Sequence, residues 1–346
     1  MNIKIFIMII TCLLLIFWKI SEKEEFFDLS NENVVIHAVG DISFSRDIDK
    51  YVKKKKKGDF EYPLSYVKPY LSESDLTMAN LETVLLQNCD IRKPLYPDSI
   101  NLCSDQWCLS GVIDNIDIVN IANNHAYDYG IYGLDSTIKN LNKFGIPYIG
   151  TKNQPFKIIN IKGLKIGLIG IASDFNKLNG SNIFGIKMEI IPNLIKYVSE
   201  KSDIVIINIH WGEEYSFYPN IRQKSLARKF VEYGADVIIG HHPHVIQTME
   251  HINVKDRKGT VFYSIGNFLF DSHVLKNGVR NSMILKIIVD NDKNISFEYL
   301  PCVIRPDIGF APIPSQSYFQ REFPEHSTIK ANNLYKYIKC ARSATC

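Results

Sequence analysis

The chain repeats one pattern of hydrophobic and polar positions between residues 34 and 300. A short apolar run ends in polar or glycine-rich residues, often before a stretch with helical spacing of apolar side chains. Nearly continuous apolar runs predict buried strands that are covered on both faces. The predicted strands are 34–39, 76–79, 116–122, 165–171, 204–209, 237–239 and 261–265, and the predicted helices are 134–144 and 222–233. This alternation predicts an α/β fold for a domain spanning residues 34–300.

The pattern changes after residue 300. Prolines recur along the chain there, and we expect them to break any long element: Pro301, Pro306, Pro312, Pro314 and Pro324. A short terminal helix is predicted only over residues 333–339. We therefore interpret residues 301–346 as a tail that packs on the domain.

The N-terminus carries a separate apolar segment, from Ile5 to Trp18, between Lys4 and Lys19. Its helical length of about 21 Å is short of a hydrocarbon core of about 30 Å, so lysine snorkelling or local thinning would be needed. Because no small-x-small cleavage site follows Trp18, an uncleaved signal anchor is favoured over a cleaved signal peptide. Residues 1–33 are thus predicted to anchor the chain in the cell membrane by a single pass, with the body outside the cytoplasm.

Composition narrows the classes of partner. The chain has 346 residues, 46% of them hydrophobic, and a formal charge of only +3. A chain with so little net charge is not expected to bind nucleic acid. The single basic run, 53–57, predicts a solvated loop or helix face. Six cysteines outside the anchor could form disulfides in an oxidising compartment, and the sequence leaves their pairing open.

A histidine-rich motif, Gly240-His241-His242-Pro243-His244, follows the apolar run 237–239 directly. Residues i and i+2 of an extended segment face the same side, so His242 and His244 are predicted to converge on a metal while His241 points away. Pro243 biases His242 toward an extended conformation. The alternative is a surface loop that happens to be rich in histidine.

Other polar residues stand at the ends of the predicted strands and complete a candidate ligand set. It comprises Asp41, Glu82, Asn124, His210, His242 and His244. Oxygen and imidazole donors of this kind bind Mn, Fe or Zn, and Asp41 or Glu82 could bridge two such ions. His125 is predicted to act as an acid or an oxyanion partner. The alternative for each residue alone is a turn, a cap or a satisfied polar strand end.

Six motifs occur in an order that resembles the CapA/PgsA family of bacterial capsule synthesis, which is associated with poly-γ-glutamate. They are Gly40-Asp41 with Arg46; Asn80-Leu81-Glu82; Asn123-Asn124-His125 with Asp128-Tyr129-Gly130; His210-Trp211-Gly212 with Glu214-Tyr215; the segment 234–240 leading to His242-Pro243-His244 with Gln247; and Tyr263-Ser264-Ile265-Gly266-Asn267-Phe268. The motifs cover roughly residues 34–300, and as a set they are specific.

The resemblance implies a calcineurin-like metallophosphoesterase fold, a two-sheet sandwich flanked by helices. It implies that Asp41 is the first metal aspartate, that Glu82 stands near the bridging carboxylate, and that Asn124 and His125 form the Asn-His pair. The histidines at 210, 242 and 244 match the remaining ligands. The chain departs from the superfamily pattern at Ser43, where Asp-x-His is usual, so one metal site lacks an imidazole. It also has Asn80-Leu81-Glu82 in place of Gly-Asp-x-x-Asp.

Two functions follow as hypotheses. In the first, the chain is a metal-dependent hydrolase of the envelope, in which one or two divalent transition metal ions polarise a phosphoryl or acyl oxygen. Arg46 would hold an anionic group and His125 would protonate the leaving group. In the second, the chain is an anchored accessory subunit of a capsule-polymer synthase or exporter, and the site binds metal or polymer without turnover. The expected partners are the membrane, an anionic polymer or phosphorylated envelope substrate, and other synthase or export subunits.

Overall fold

The computed structural model describes residues 33–89, 93–95, 97–173, 178, 180–272 and 278–315. The predicted anchor and the predicted helix over 333–339 lie outside these residues, as do Cys340 and Cys346. Within the described part of the chain, no helix is long and apolar enough to cross a membrane.

The described residues form sixteen strands and six α-helices. The strands are β1 (Val34–Ile42), β2 (Leu76–Leu81), β3 (Val84–Leu86), β4 (Cys103–Asp105), β5 (Ile118–Asn120), β6 (Tyr148–Ile149), β7 (Phe156–Ile161), β8 (Leu164–Ala172), β9 (Ile204–His210), β10 (Val237–His241), β11 (Met249–Val254), β12 (Arg257–Phe262), β13 (Asn267–Leu269), β14 (Asn281–Val289), β15 (Ile295–Arg305) and β16 (Ala311–Pro314). The helices are α1 (Arg46–Lys55), α2 (Lys68–Leu71), α3 (Leu109–Ile113), α4 (Gly130–Phe144), α5 (Ile191–Ser199) and α6 (Ile221–Tyr233). Three short 3₁₀ turns cover Tyr62–Leu64, Gln106–Cys108 and Pro306–Ile308.

Most strands belong to two mixed sheets. The first sheet has eight strands in the order β16-β15-β14-β1-β2-β5-β6, and β13 pairs with β1 in addition. The second sheet has six strands in the order β11-β12-β10-β9-β8-β7. In each sheet the central strands run parallel, β1-β2-β5-β6 in the first and β8-β9-β10-β12 in the second. The predicted mixed α/β fold is confirmed.

The two sheets share one apolar core, and helices cover their outer faces. Ile36 and Met78 of the first sheet belong to the same buried cluster as Leu168 and Ile206 of the second sheet. Side chains one position along each strand face the opposite way, because successive residues of a strand alternate between faces. Ile207, for example, packs in the cluster that contains side chains of α5 and α6. The layers are therefore helices, sheet, sheet and helices.

The structure contains the predicted strands and helices, but several of them begin or end at other residues than predicted. The strand predicted over 116–122 is shorter, Ile118–Asn120, and the one predicted over 261–265 ends earlier, at Phe262. Helix α4 begins four residues before its predicted start, at Gly130. Helix α6 begins within one residue of its prediction, because Asn220 and Gln223 form a reciprocal capping box there. The basic run 53–57 lies at the largely exposed end of α1, as expected of a solvated face.

The expectation that prolines break every long element after residue 300 is wrong. Strand β15 runs for eleven residues, from Ile295 to Arg305, and Pro301 pairs in register with Met283 of β14. The predicted domain boundary at 300 falls inside this strand. Proline removes one N–H donor from a strand, which disturbs pairing least at the edge of a sheet. Pro312 is an example, because it lies in the edge strand β16.

One disulfide joins Cys89 to Cys103, at the start of β4. Cys108 and Cys302 are buried free thiols. Among the described cysteines, the pairing that the sequence left open is thus Cys89 with Cys103.

Candidate metal centre

The predicted site residues meet where the parallel strands of both sheets end. Strands β1, β2 and β5 of the first sheet bring their carboxyl ends to this edge, and so do β9 and β10 of the second sheet. The predicted ligands and the predicted catalytic histidine are all buried here: Asp41, Glu82, Asn124, His125, His210, His242 and His244. Polar groups removed from water in this way need a partner, so their burial indicates a built site.

Two groups of potential metal ligands share one carboxylate. Asp41, Glu82 and His210 form one group, and Glu82, His242 and His244 form the other. Within each group the donor atoms lie within 4.8 Å of one another. Oε1 of Glu82 is 3.6 Å from Nε2 of His210 and 3.8 Å from Nε2 of His244. Glu82 is therefore placed to bridge two ions.

The carboxylate of Glu82 shows that the donor set fits a cation. Its side chain is fully buried, and neither oxygen has a hydrogen-bond partner among the described residues. Burial raises the pKa of Glu82 well above its ordinary value, and the charges of Asp41 and Glu214 raise it further. An uncompensated buried carboxylate is costly, whereas a divalent cation between Glu82 and the imidazoles would satisfy it. Carboxylate and imidazole donors suit Mn, Fe or Zn.

Asp41 has the opposite electrostatic environment. Burial alone would raise its pKa, but contacts with His241 and His244 hold the pKa well below its ordinary value. The amide of Asn80 also donates to Oδ1 of Asp41 at 2.8 Å. Asp41 is thus kept as a carboxylate, the form that binds metal.

His210 is held between two asparagines. Its Nε2 lies 2.8 Å from Oδ1 of Asn124, and its Nδ1 lies 3.2 Å from Nδ2 of Asn80. Burial, followed by the charge of His242, lowers the pKa of His210 well below its ordinary value. Burial and the charge of His244 likewise lower the pKa of His242 to about 3. Both imidazoles are therefore neutral near pH 7, as ligation requires.

The predicted geometry of the histidine motif is wrong, although His242 and His244 do converge. Their backbones are left-handed, with φ of 93° and 57°, and not extended. Strand β10 continues through His241, which pairs in register with His210 and is buried. Its Nδ1 lies 3.1 Å from Oδ1 of Asp41. His241 therefore faces the site. The predicted alternation fails because His242 and His244 lie beyond the end of β10, where side chains no longer alternate between faces.

Asn267 orients His244. The Oδ1 atom of Asn267 lies 2.8 Å from Nδ1 of His244, so that nitrogen carries the proton and donates. Nε2 is then the atom with a free lone pair, and it is the one near Glu82. Such a partner fixes the tautomer of a ligating histidine.

His125 is oriented by Asp128. Its Nδ1 lies 2.7 Å from Oδ2 of Asp128, and its Nε2 lies 3.8 Å from Oε1 of Glu82. The same Asp128 oxygen accepts a hydrogen bond from the backbone N–H of Leu102 at 2.8 Å. With Nδ1 donating to Asp128, Nε2 is the atom of His125 that can exchange a proton at the site.

Arg46 has a partner within the chain. Its Nε donates to Oδ1 of Asp271 at 2.8 Å, and Nη2 forms an ion pair with the same oxygen. The guanidinium lies 5.7 Å from the ring centroid of Phe270, which in turn is 4.8 Å from the ring of His244. Arg46 therefore belongs to the wall of the site, and its role as an anion-holding residue stays a prediction.

Four polar residues that hold the site together had no predicted role: Asn80, Asp128, Asn267 and Asp271. Two of them carried a signal, since Asn80 and Asp128 lie within three residues of a predicted ligand or acid in the sequence. Asn267 stood within the motif 263–268 but had no role assigned, and Asp271 carried no signal, because the contacts of both are made across long separations. Asp271, for example, is 225 residues from Arg46.

Among solved structures, the chain is similar to a novel phosphatase from Mycoplasma pneumoniae and to the 5'-nucleotidase of Candida albicans SC5314. The first comparison has a TM-score of 0.48 and 13% identity, and it covers 84% of this chain and 99% of the other. The second has a TM-score of 0.43 and 14% identity, with 89% and 58% covered.

Closer sequence relatives come from bacilli. The capsule biosynthesis protein CapA of Bacillus anthracis is 31% identical over 263 residues, which are 70% of this chain and 61% of that protein, so the chain spans about three fifths of its length. The PGA biosynthesis protein CapA of Bacillus subtilis is 30% identical over 311 residues, covering 86% of this chain and 78% of the relative. The family model of the bacterial capsule synthesis protein PGA_cap matches residues 35–272. The chain belongs to this bacterial capsule synthesis family, PGA_cap.

Proposed function

We propose that the chain serves capsule-polymer synthesis or export at the cell membrane and that its buried site is a divalent metal centre. Family membership and the name of the Bacillus anthracis relative support the capsule role, and the name of the Bacillus subtilis relative supports a poly-γ-glutamate polymer in particular. The uncharged segment 5–18 supports a single-pass anchor with the body outside the cytoplasm. A metallophosphoesterase-like origin of the site is part of this proposal.

One observation carries the metal centre. Glu82 is fully buried, its carboxylate has no hydrogen-bond partner among the described residues, and it is shared by the two ligand groups described above. Asp41, Glu82 and His210 would hold one ion, and Glu82, His242 and His244 the other, with Asn124 beside His210. An ion of Mn, Fe or Zn would supply a Lewis acid that polarises a phosphoryl or acyl oxygen and lowers the pKa of bound water.

The second candidate is an envelope hydrolase that is not tied to capsule polymer. The ordered pair of His125 and Asp128 favours it, because an accessory subunit that only binds polymer has no need of a group that exchanges protons. In this function the imidazolium of His125, stabilised by Asp128, would deliver the proton on Nε2 to the leaving group and become neutral imidazole.

Complementation of a host strain from which the gene is deleted tests both candidates. The unmodified chain should restore capsule polymer, measured per cell. We expect His242→Ala/His244→Ala to fail, because each change removes a ligand. His125→Ala should also fail if the capsule role requires catalysis and should succeed if the chain is an accessory subunit without turnover, whereas a hydrolase that is not tied to capsule polymer predicts normal capsule in the deletion strain. His251→Ala, at a surface histidine outside the site, is the matched control.

A deletion strain with normal capsule would contradict the capsule role. Immunoblots of membrane fractions must show equal amounts of each variant, so that a lost polymer reports function and not abundance. Elemental analysis of the purified proteins completes the test. The unmodified chain should carry a transition metal that the double variant lacks, and equal metal contents would remove the basis for the proposed centre.

A further inference from the structure

His241 is a buried side chain at the site without an assigned role. It ends β10, pairs in register with His210 of β9, and is fully buried. Among the described residues, neither of its ring nitrogens meets hydrogen-bond geometry with a partner. The polar atom beside it is Oδ1 of Asp41, 3.1 Å from Nδ1. A buried imidazole in such a place needs that neighbour, because a polar nitrogen without one is costly.

The contacts of Asp41 divide between its two oxygens. Oδ1 accepts from Nδ2 of Asn80 at 2.8 Å and faces His241 at 3.1 Å. Oδ2 is farther from its neighbours, 3.3 Å from Nδ1 of His244 and 3.4 Å from the backbone N–H of His242. One side-chain donor, Asn80, thus binds Oδ1 and the His241 ring faces the same oxygen, whereas Oδ2 is turned toward His242 and His244.

His241 stands outside both ligand groups. Neither Asp41, Glu82 and His210 nor Glu82, His242 and His244 includes it. Its nearness to Asp41 is therefore that of an outer residue that holds a ligand, and not that of a further ligand. Outer partners of this kind orient ligating carboxylates and histidines, and their loss typically lowers metal affinity by about 10- to 100-fold.

We propose that His241 is a positioning residue for the metal centre. Its Nδ1–H, together with the amide of Asn80, holds Oδ1 of Asp41, so that Oδ2 is presented to the ion. This inference rests on the proposed metal centre, and it assigns to His241 a role that depends on donation from Nδ1 alone.

Titration of the chelator-treated full chain with Mn²⁺, followed by calorimetry, tests the assignment. We expect His241→Leu to weaken Mn²⁺ binding by about 10- to 100-fold without changing the number of ions bound. His241→Asn should retain most of the affinity, because it keeps an N–H donor at the δ position. His241→Ala should match His241→Leu, which covers the case in which leucine does not fold.

His37→Leu is the matched control. His37 is also a buried histidine, and its two ring nitrogens have no hydrogen-bond partner in the part of the chain that the structure describes, but it lies four residues before Asp41 and belongs to neither group. Its replacement should leave Mn²⁺ affinity unchanged. An equal loss in this control would attribute the effect to general destabilisation and would overturn the proposal, as would unchanged affinity in His241→Leu and His241→Ala.

A spectrum separates positioning from ligation. When His241→Cys is loaded with Co²⁺, we expect no thiolate-to-cobalt charge-transfer absorption beyond that of the unmodified chain. Such a band would show that position 241 ligates the metal, and the positioning role would be wrong. Absence of Mn²⁺ binding by the unmodified chain would instead contradict the proposed metal centre itself. Failure of the positioning role and failure of the metal centre are therefore distinguishable.

Discussion

His37 is a buried titratable residue that the candidate site does not use. It lies in β1 and is 1% exposed. Burial, followed by the charge of Lys286, lowers the pKa of His37 to about 4. The folded chain therefore keeps this imidazole neutral at pH values where the unfolded chain, with an ordinary pKa of about 6.5, takes up a proton.

This difference makes folding stability sensitive to acid. The contribution is fully present above pH of about 6.5 and is lost as the pH falls toward 4, because only the unfolded state gains the proton in that window. We expect the free energy of unfolding in urea to fall by roughly 3 kcal/mol more in the unmodified chain than in His37→Leu over this range. His251→Leu, which removes a surface histidine, should retain the slope of the unmodified chain. Equal slopes in the unmodified chain and His37→Leu would contradict the assignment.

At the level of single residues, sequence predicted which side chains gather at the site but not how each one is held. Asp41, Glu82 and His210 lie at strand ends. The apolar run before each of them predicts the strand, and therefore the place where it ends. His241 was misjudged because the rule of alternating faces was carried past the end of β10, into two left-handed residues. Left-handed backbone at a histidine leaves no signal in composition or periodicity.

The element that carries Cys103 is short and covalently tied. Strand β4 has three residues, pairs only with β3 within the described residues, and begins at the disulfide to Cys89. The preceding residue, Leu102, donates its N–H to Asp128, the partner of His125. The disulfide therefore lies one residue from a hydrogen bond that supports the candidate acid.

Removing the disulfide should destabilise the chain. The bond spans a sequence separation of 14, for which loop closure gives about 3 kcal/mol. We expect Cys89→Ser/Cys103→Ser to lower the denaturant midpoint accordingly. Dithiothreitol should lower the midpoint of the unmodified chain to the same value and leave the double variant unchanged. A midpoint insensitive to reductant, with the free thiols counted to verify reduction, would be the contrary result.

Elements were predictable in proportion to how apolar they are. The buried central strands, such as β9 and β10, were located within two residues, because continuous apolar runs mark them. Strand β15 was missed because half of its side chains are only partly buried and Pro301 interrupts its sequence pattern. Pairing with β14 along its length overrides that local signal.

At the scale of the whole molecule, the candidate ligands come from both sheets. Asp41 and Glu82 lie at the ends of strands of the first sheet, whereas His210, His242 and His244 lie at or just beyond the ends of strands of the second. An ion held by both sets would join the two layers across their shared core. Metal binding and folding should therefore be linked.

Thermal unfolding measures this linkage. We expect Mn²⁺ at about 100 times its Kd to stabilise the chelator-treated chain by about 2.7 kcal/mol and to raise Tm accordingly. His242→Ala/His244→Ala should show no such gain at the same concentration. A similar gain in both proteins would indicate Mn²⁺ bound elsewhere on the surface.

The order of strands within each sheet was beyond prediction from the sequence. Local pattern gives the strands, but the pairing of β1 with β14 joins Val34 to Val289, and no local feature encodes that separation. The family resemblance supplied the two-sheet arrangement, where periodicity gave only an α/β alternation. The residues of the site are marked in the sequence by their place after apolar runs, whereas the pairing of distant strands is not.

The position of β1 has a consequence for how the chain reaches its native state. This strand carries Asp41 and lies between β2, which follows soon after it, and β14, which the ribosome makes about two hundred and forty residues later. Until β14 arrives, one side of β1 is an open, apolar edge that can pair wrongly. The residue that begins the metal centre is therefore synthesised long before the strand that carries it is completed.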